Sequence, residues 1–106
     1  MQNLEELYQL VLNRKENPKE GSYTDYLFTK GLDKILKKVG EESTEVIVAS
    51  KNPDKSELVY ETADLLYHLM VLLVEQGVGF DEIKVELAKR EGLMSKTKDR
   101  RKIQDL

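Results

Sequence analysis

The chain contains no cysteine, so disulfides and thiolate metal sites are excluded. Its single histidine, His68, cannot build a histidine-rich zinc site. Any metal here must be held by oxygen, which favours magnesium or manganese. An excess of basic residues is also missing. The formal net charge is -3, so there is no general positive field to gather nucleic acid, and no nucleic-acid partner is expected. Long apolar runs are lacking too: residues 65–74 are too few and too interrupted to span a bilayer. The N-terminal stretch MQNLEELYQL has neither the basic nor the apolar region of a secretory signal. A cytoplasmic location with no membrane partner is the expectation.

Hydrophobic residues make up 40% of the 106 and charged residues 35%, a globular composition sized for one domain. The two prolines, Pro18 and Pro53, fall in breaks, and no repeat appears. A first helix is predicted over residues 2–16, with Leu4, Leu7, Tyr8, Val11 and Leu12 on one face. Asn17-Pro18 ends it. After a loop over 17–23, Ser22 and Asp25 mark the start of a second helix over 24–51. Gly31 and Gly40 lie inside that span, each costing about 1 kcal/mol relative to alanine, and a kink or split is expected near Gly31. A third helix, capped by Asp54 or Ser56, runs to residue 76 with Gly77 as its terminating glycine. A fourth starts near Phe80-Asp81-Glu82 and ends near Glu91. No segment shows strand alternation. The expected fold is all-α, a bundle of four main helices over residues 1–94, with a mobile basic tail over 95–106.

The third helix is apolar over most of its circumference: Leu58, Val59, Ala63, Leu65, Leu66, Leu69, Met70, Val71, Leu72, Leu73 and Val74. A helix of that kind must be buried on nearly all sides, more than one short chain can provide. An obligate homodimer built on the second and third helices is therefore expected.

Acids occur in pairs one helical turn apart. Glu42 and Glu45 are neighbours on the second helix, and Glu61 and Asp64 on the third. A three-residue step rises about 4.5 Å, close enough for two carboxylates to share a cation. Glu42 lies in the apolar stripe of Leu32, Ile35, Val39, Val46 and Ala49. Glu61 lies in the stripe of Leu58, Leu65, Leu69 and Leu72. Carboxylates on core-facing stripes are costly unless neutralised, and four converging would repel one another. A divalent cation held by Glu42, Glu45, Glu61 and Asp64 resolves the conflict. Solvated acids paired with lysines are the plainer alternative, and the stripe positions weigh against it.

Glu-Glu-x-x-Glu followed by Glu-x-x-Asp resembles the all-α nucleotide pyrophosphohydrolases, which include the MazG-type enzymes. The context is narrower. Ser22-Tyr23-Thr24, the lysine-rich stretch from Lys30 to Glu42, and Glu61-Thr62-Ala63-Asp64-Leu65-Leu66-Tyr67-His68 are similar to the phosphoribosyl-ATP pyrophosphohydrolase family. That resemblance implies hydrolysis of phosphoribosyl-ATP to phosphoribosyl-AMP and pyrophosphate in histidine biosynthesis. It also implies a small-molecule nucleotide substrate, Mg2+ (or Mn2+) as cofactor, and a dimer. The catalytic set it implies is Glu41, Glu42, Glu45, Glu61 and Asp64, where Glu41 binds metal, orients water or pairs with a lysine. The alternatives are a MazG-like house-cleaning hydrolase of free nucleoside triphosphates and a non-catalytic helical dimerisation module.

Among the cations, Lys34 and Lys38 share a face with Glu41, Glu42 and Glu45 and are favoured over Lys37 as phosphate contacts. Lys89 and Arg90 are weaker candidates. Ser22 and Tyr23 are candidate substrate contacts, although a helix cap explains Ser22 alone. His68, one turn beyond Asp64, reads as a core histidine rather than a partner of a carboxylate.

Overall fold

In the computed structural model of the chain, which describes residues 3–91, the described residues form five helices and no strand. These are α1 (Leu4–Glu16), α2 (Tyr23–Lys30), α3 (Leu32–Ser50), α4 (Ser56–Glu75) and α5 (Phe80–Glu91). Each boundary has a local cause. Asn3 caps α1 by accepting from the Glu6 amide at 2.8 Å, so the helix begins at Leu4, two residues later than the periodicity suggests. Asp54 accepts from the Ser56 amide at 3.0 Å ahead of α4.

The span expected as one helix over 24–51, with a kink or split near Gly31, is two helices divided at Gly31. Gly31 adopts φ 93° and ψ -173°, a conformation open essentially to glycine alone. Its amide closes α2 on the Leu27 carbonyl, and its carbonyl opens α3 by accepting from Ile35. Gly40, with no such conformation, stays inside α3. The bundle therefore has five helices among the described residues, not four. At the end of α4, Gly77 (φ 71°) donates to the Val74 carbonyl and Val78 donates to that of Leu73. This paired closure needs a left-handed residue, and it turns the chain by 113° into α5.

The core is built from Leu7, Tyr8 and Val11 of α1, Leu27 of α2, Ile35 of α3, and Met70, Val71 and Val74 of α4. Burying each such side chain stabilises the fold by roughly 1.5–3 kcal/mol. All the α4 members lie in its C-terminal half. At its other half Val59 and Tyr60 are each 69% exposed, beside Ile47 and Val48 of α3 at 67% and 66%. No single helix among the described residues is long and apolar enough to cross a membrane. The expected tail over 95–106 lies outside the described residues.

Candidate functional site

The site forms where α3 and α4 lie side by side. Glu42 meets Asp64 while Glu45 meets Glu61, the order that antiparallel neighbours joined by a short turn require. Carboxylate oxygens of Glu42, Glu45 and Glu61 lie within 4.8 Å of one another, and so do ligand atoms of Glu42, Asp64 and His68. Glu42 belongs to both sets. It comes from the buried stripe of α3 and is 3% exposed.

The charges are poorly balanced. Lys38 Nζ lies 3.3 Å from Glu42 Oε1 and 3.5 Å from Glu41 Oε1. Burial opposes the charge on Lys38, but Glu42 and the other nearby groups outweigh it and raise its pKa. Burial likewise pushes Glu42 up, yet side-chain hydrogen bonding with Asp64 and Glu45 and the Lys38 ammonium hold it below the usual carboxylate range. Its neighbours go the other way. Hydrogen bonding with Glu45, then burial and the charges of Glu45 and Glu42, push Glu61 up to about 7. Burial and contact with Glu42 raise Asp64. In physical terms carboxylates this close oppose one another's ionisation, and the cost falls on Glu61 and Asp64, whose pKa values rise.

Two oxygens identify what the cluster lacks. Glu42 Oε2 and Glu61 Oε2 are shielded from solvent and have no hydrogen-bond partner. A buried acceptor left in that state costs about 1–3 kcal/mol, more when charged. The donors are hard carboxylate oxygens converging from two rigid helices. Such a set fits a hard divalent cation, which would satisfy the orphan oxygens and offset the crowded negative charge together.

The other sequence-predicted residues fall at different distances from this centre. Lys38 is in the cluster, whereas Lys34 holds its ammonium over the Tyr26 ring, 5.9 Å from the centroid. Glu41 is exposed and paired with Lys38. Ser22 caps α2 by accepting from the Asp25 amide at 3.3 Å. Tyr23 follows it, and its hydroxyl reaches His68 Nε2 at 3.0 Å. Burial raises the Tyr23 pKa, opposed by Lys38 and reinforced by Asp64 and Glu42. Arg90 is paired with Glu86 on α5.

His68 is the residue that the sequence underrated. Its burial, 2% exposed, is that of a core histidine, as expected. Both ring nitrogens nevertheless engage site residues, Asp64 and Tyr23. The available signal was its spacing, four residues beyond Asp64 on one helix. Beside Asp64 an open cleft of about 260 Å3 is lined by Tyr60, Ala63 and Tyr67. The Tyr67 hydroxyl is fixed by Thr24.

Comparison with known proteins bears on this geometry. The family model described as phosphoribosyl-ATP pyrophosphohydrolase matches residues 4–91. A protein of Limosilactobacillus fermentum named phosphoribosyl-ATP pyrophosphatase is 77% identical over 106 residues, 100% of each chain. One of the same name from Lactiplantibacillus plantarum is 76% identical over the same span, again 100% of each. Another, from Lacticaseibacillus casei, is 60% identical over 97% of this chain and 94% of its own.

Proposed function

The chain belongs to the phosphoribosyl-ATP pyrophosphohydrolase family, and from that premise we propose that it cleaves phosphoribosyl-ATP to phosphoribosyl-AMP and pyrophosphate with Mg2+ held by Glu42, Glu45, Glu61 and Asp64. The observation that carries the metal assignment is the orphaned, solvent-shielded Glu42 Oε2 at the centre of four converging carboxyls. Mn2+ suits the same oxygen donors. The catalytic domain is taken as residues 1–94, and the enzyme as cytoplasmic.

A divalent cation bound there supplies a counter-charge for phosphate oxygens and acidity for a coordinated water. The chain's own residues do the rest. Glu42 and Asp64, held by rigid helices, and Glu45 and Glu61 one turn along fix the donor positions before substrate arrives. Lys38 offers a buried-side ammonium to the polyphosphate as a point charge. A carboxylate accepts the proton of the attacking water as the α–β phosphoanhydride bond breaks, and pyrophosphate leaves. Glu41, the exposed acid paired with Lys38, is positioned either for this role or to orient that lysine. Tyr23, whose hydroxyl meets His68, contacts substrate, with Ser22 fixing its helix.

The enzyme acts as an obligate homodimer. Ile47 and Val48 on α3 and Val59 and Tyr60 on α4 form an exposed apolar face at one end of the hairpin, and a second copy is the partner that covers it. Pyrophosphate release from phosphoribosyl-ATP, measured against ATP and dCTP, tests the substrate. Strong preference for phosphoribosyl-ATP is expected. Equal or faster turnover of the free triphosphates would replace the proposal with a house-cleaning activity.

A further inference from the structure

His68 links two parts of the site that are far apart in sequence. Its Nδ1 faces two acceptors of one residue, the Asp64 main-chain oxygen at 2.8 Å and Asp64 Oδ1 at 3.2 Å. A carbonyl oxygen can only accept, so Nδ1 must carry the hydrogen. Nε2 lies 3.0 Å from the Tyr23 hydroxyl. In the neutral ring with hydrogen on Nδ1, Nε2 is an acceptor, so Tyr23 must donate. The ring is held in this pose by edge contacts with Tyr67 at 4.9 Å and Tyr23 at 5.7 Å between centroids.

Each hydrogen bond constrains a site residue. One oxygen of Asp64 is tethered, which fixes the carboxylate's rotation. The one hydrogen of the Tyr23 hydroxyl is engaged, which leaves only lone pairs for anything outside. Tyr23 so arranged cannot donate to a phosphate oxygen, but it can accept from a hydroxyl or amino group.

We propose that His68 is a positioning residue: through Nδ1–H it holds the Asp64 carboxylate for the cation, and through Nε2 it sets Tyr23 as an acceptor for a hydroxyl or amino group of the substrate. The Asp64 half rests on the metal assignment made above; the Tyr23 half does not.

Three measurements on the full chain decide it. Because His68 is the sole histidine, 15N-labelled histidine reports one imidazole. At pH about 8.5, above the ordinary histidine range, the metal-free chain should show the Nδ1-protonated tautomer, and the Nε2-protonated tautomer would overturn the proposal. Calorimetry with Mg2+ alone should show binding weakened about tenfold or more in His68→Phe. His68→Asn, whose amide can donate from the Nδ1 position, should recover most of that loss. A folded His68→Phe chain with wild-type Mg2+ affinity sinks the Asp64 half, and if that variant does not fold, His68→Asn and the tautomer carry the test. Tyr23→Phe should raise KM about two- to tenfold, the value of one hydrogen bond, with Mg2+ affinity unchanged; an unaltered KM overturns the Tyr23 half. Absence of Mg2+ binding by the wild-type chain would instead overturn the metal assignment, leaving the tautomer and the Tyr23→Phe KM to judge the rest.

Discussion

The two halves of α4 answer to different demands. In the C-terminal half Met70, Val71 and Val74 are buried against α1, α2 and α3, and the helix there contributes stability. In the N-terminal half Glu61 and Asp64 turn toward the acids of α3, while Val59 and Tyr60 stand 69% exposed. One helix thus carries a finished core at one end and an unfinished surface at the other. The finished end needs nothing beyond the chain. The other end carries orphaned carboxylate oxygens and uncovered apolar area, and the partners proposed above answer to them, a cation for the first and a second copy for the second.

If that division holds, substitutions at the two ends should fail in different ways. The largest effect is expected at the acid end. Glu61→Gln or Asp64→Asn should lower kcat/KM by more than about 100-fold, beyond what loss of an outer-shell partner costs, and chelation should abolish activity until Mg2+ or Mn2+ is restored. The metal-free fold of these variants should hold or gain stability, because one repelling carboxylate is gone. Wild-type turnover in either variant would remove that residue from the metal set.

At the core end, Leu27→Ala empties a fully buried position and should cost about 2–5 kcal/mol in chemical denaturation. Its Mg2+ affinity, measured while folded, should be unchanged. A large change in affinity would mean that the two ends are not separable. On the uncovered face, Val59→Asp should break the dimer, which sedimentation equilibrium across a wide concentration range would detect. A wild-type chain that is folded, active and monomeric, with a concentration-independent denaturation midpoint, would refute the dimer.

The smallest effect sharpens the electrostatic side of the contrast. Glu61 titrates near 7 in the fold against about 4.5 unperturbed. The folded chain therefore keeps a proton that the unfolded chain releases as pH rises between those values. This contribution to stability is complete below about 4.5 and is lost as pH climbs through about 7. Melting temperatures in chelator should show wild type losing ground to Glu61→Gln across that window; parallel profiles would show that Glu61 is not held protonated.

Much of this was legible in the sequence because helices are periodic. Glu42 shares its stripe with Ile35 and Ala49, and all three are buried as the spacing required. The one-turn steps from Glu42 to Glu45 and from Glu61 to Asp64 follow from 3.6 residues per turn wherever a helix forms. Gly77 was readable as a terminator because the end of an apolar run and a glycine coincide there. Gly31 was partly legible: an interior glycine weakens a helix, so a kink or split was expected there, but only the φ of 93° makes it a full break while Gly40 remains helical.

What the sequence by itself determined was the all-α class, the absence of thiolate and histidine-rich metal sites, and the two acid pairs with their faces. These depend on residue type and local spacing, and local spacing is written in the chain. The tertiary structure alone decided which residues meet between elements. It matched Glu42 with Asp64 and Glu45 with Glu61, brought Lys38 to the acids while Lys34 went to Tyr26, and set Tyr23 against His68 across 45 residues of sequence. The acid pairings depend on how α3 packs on α4, and those of Tyr23 and Tyr26 on the break at Gly31 and on how α2 packs over that hairpin. Helical periodicity fixes which face a side chain shares, but the packing of one helix on another fixes what that face touches.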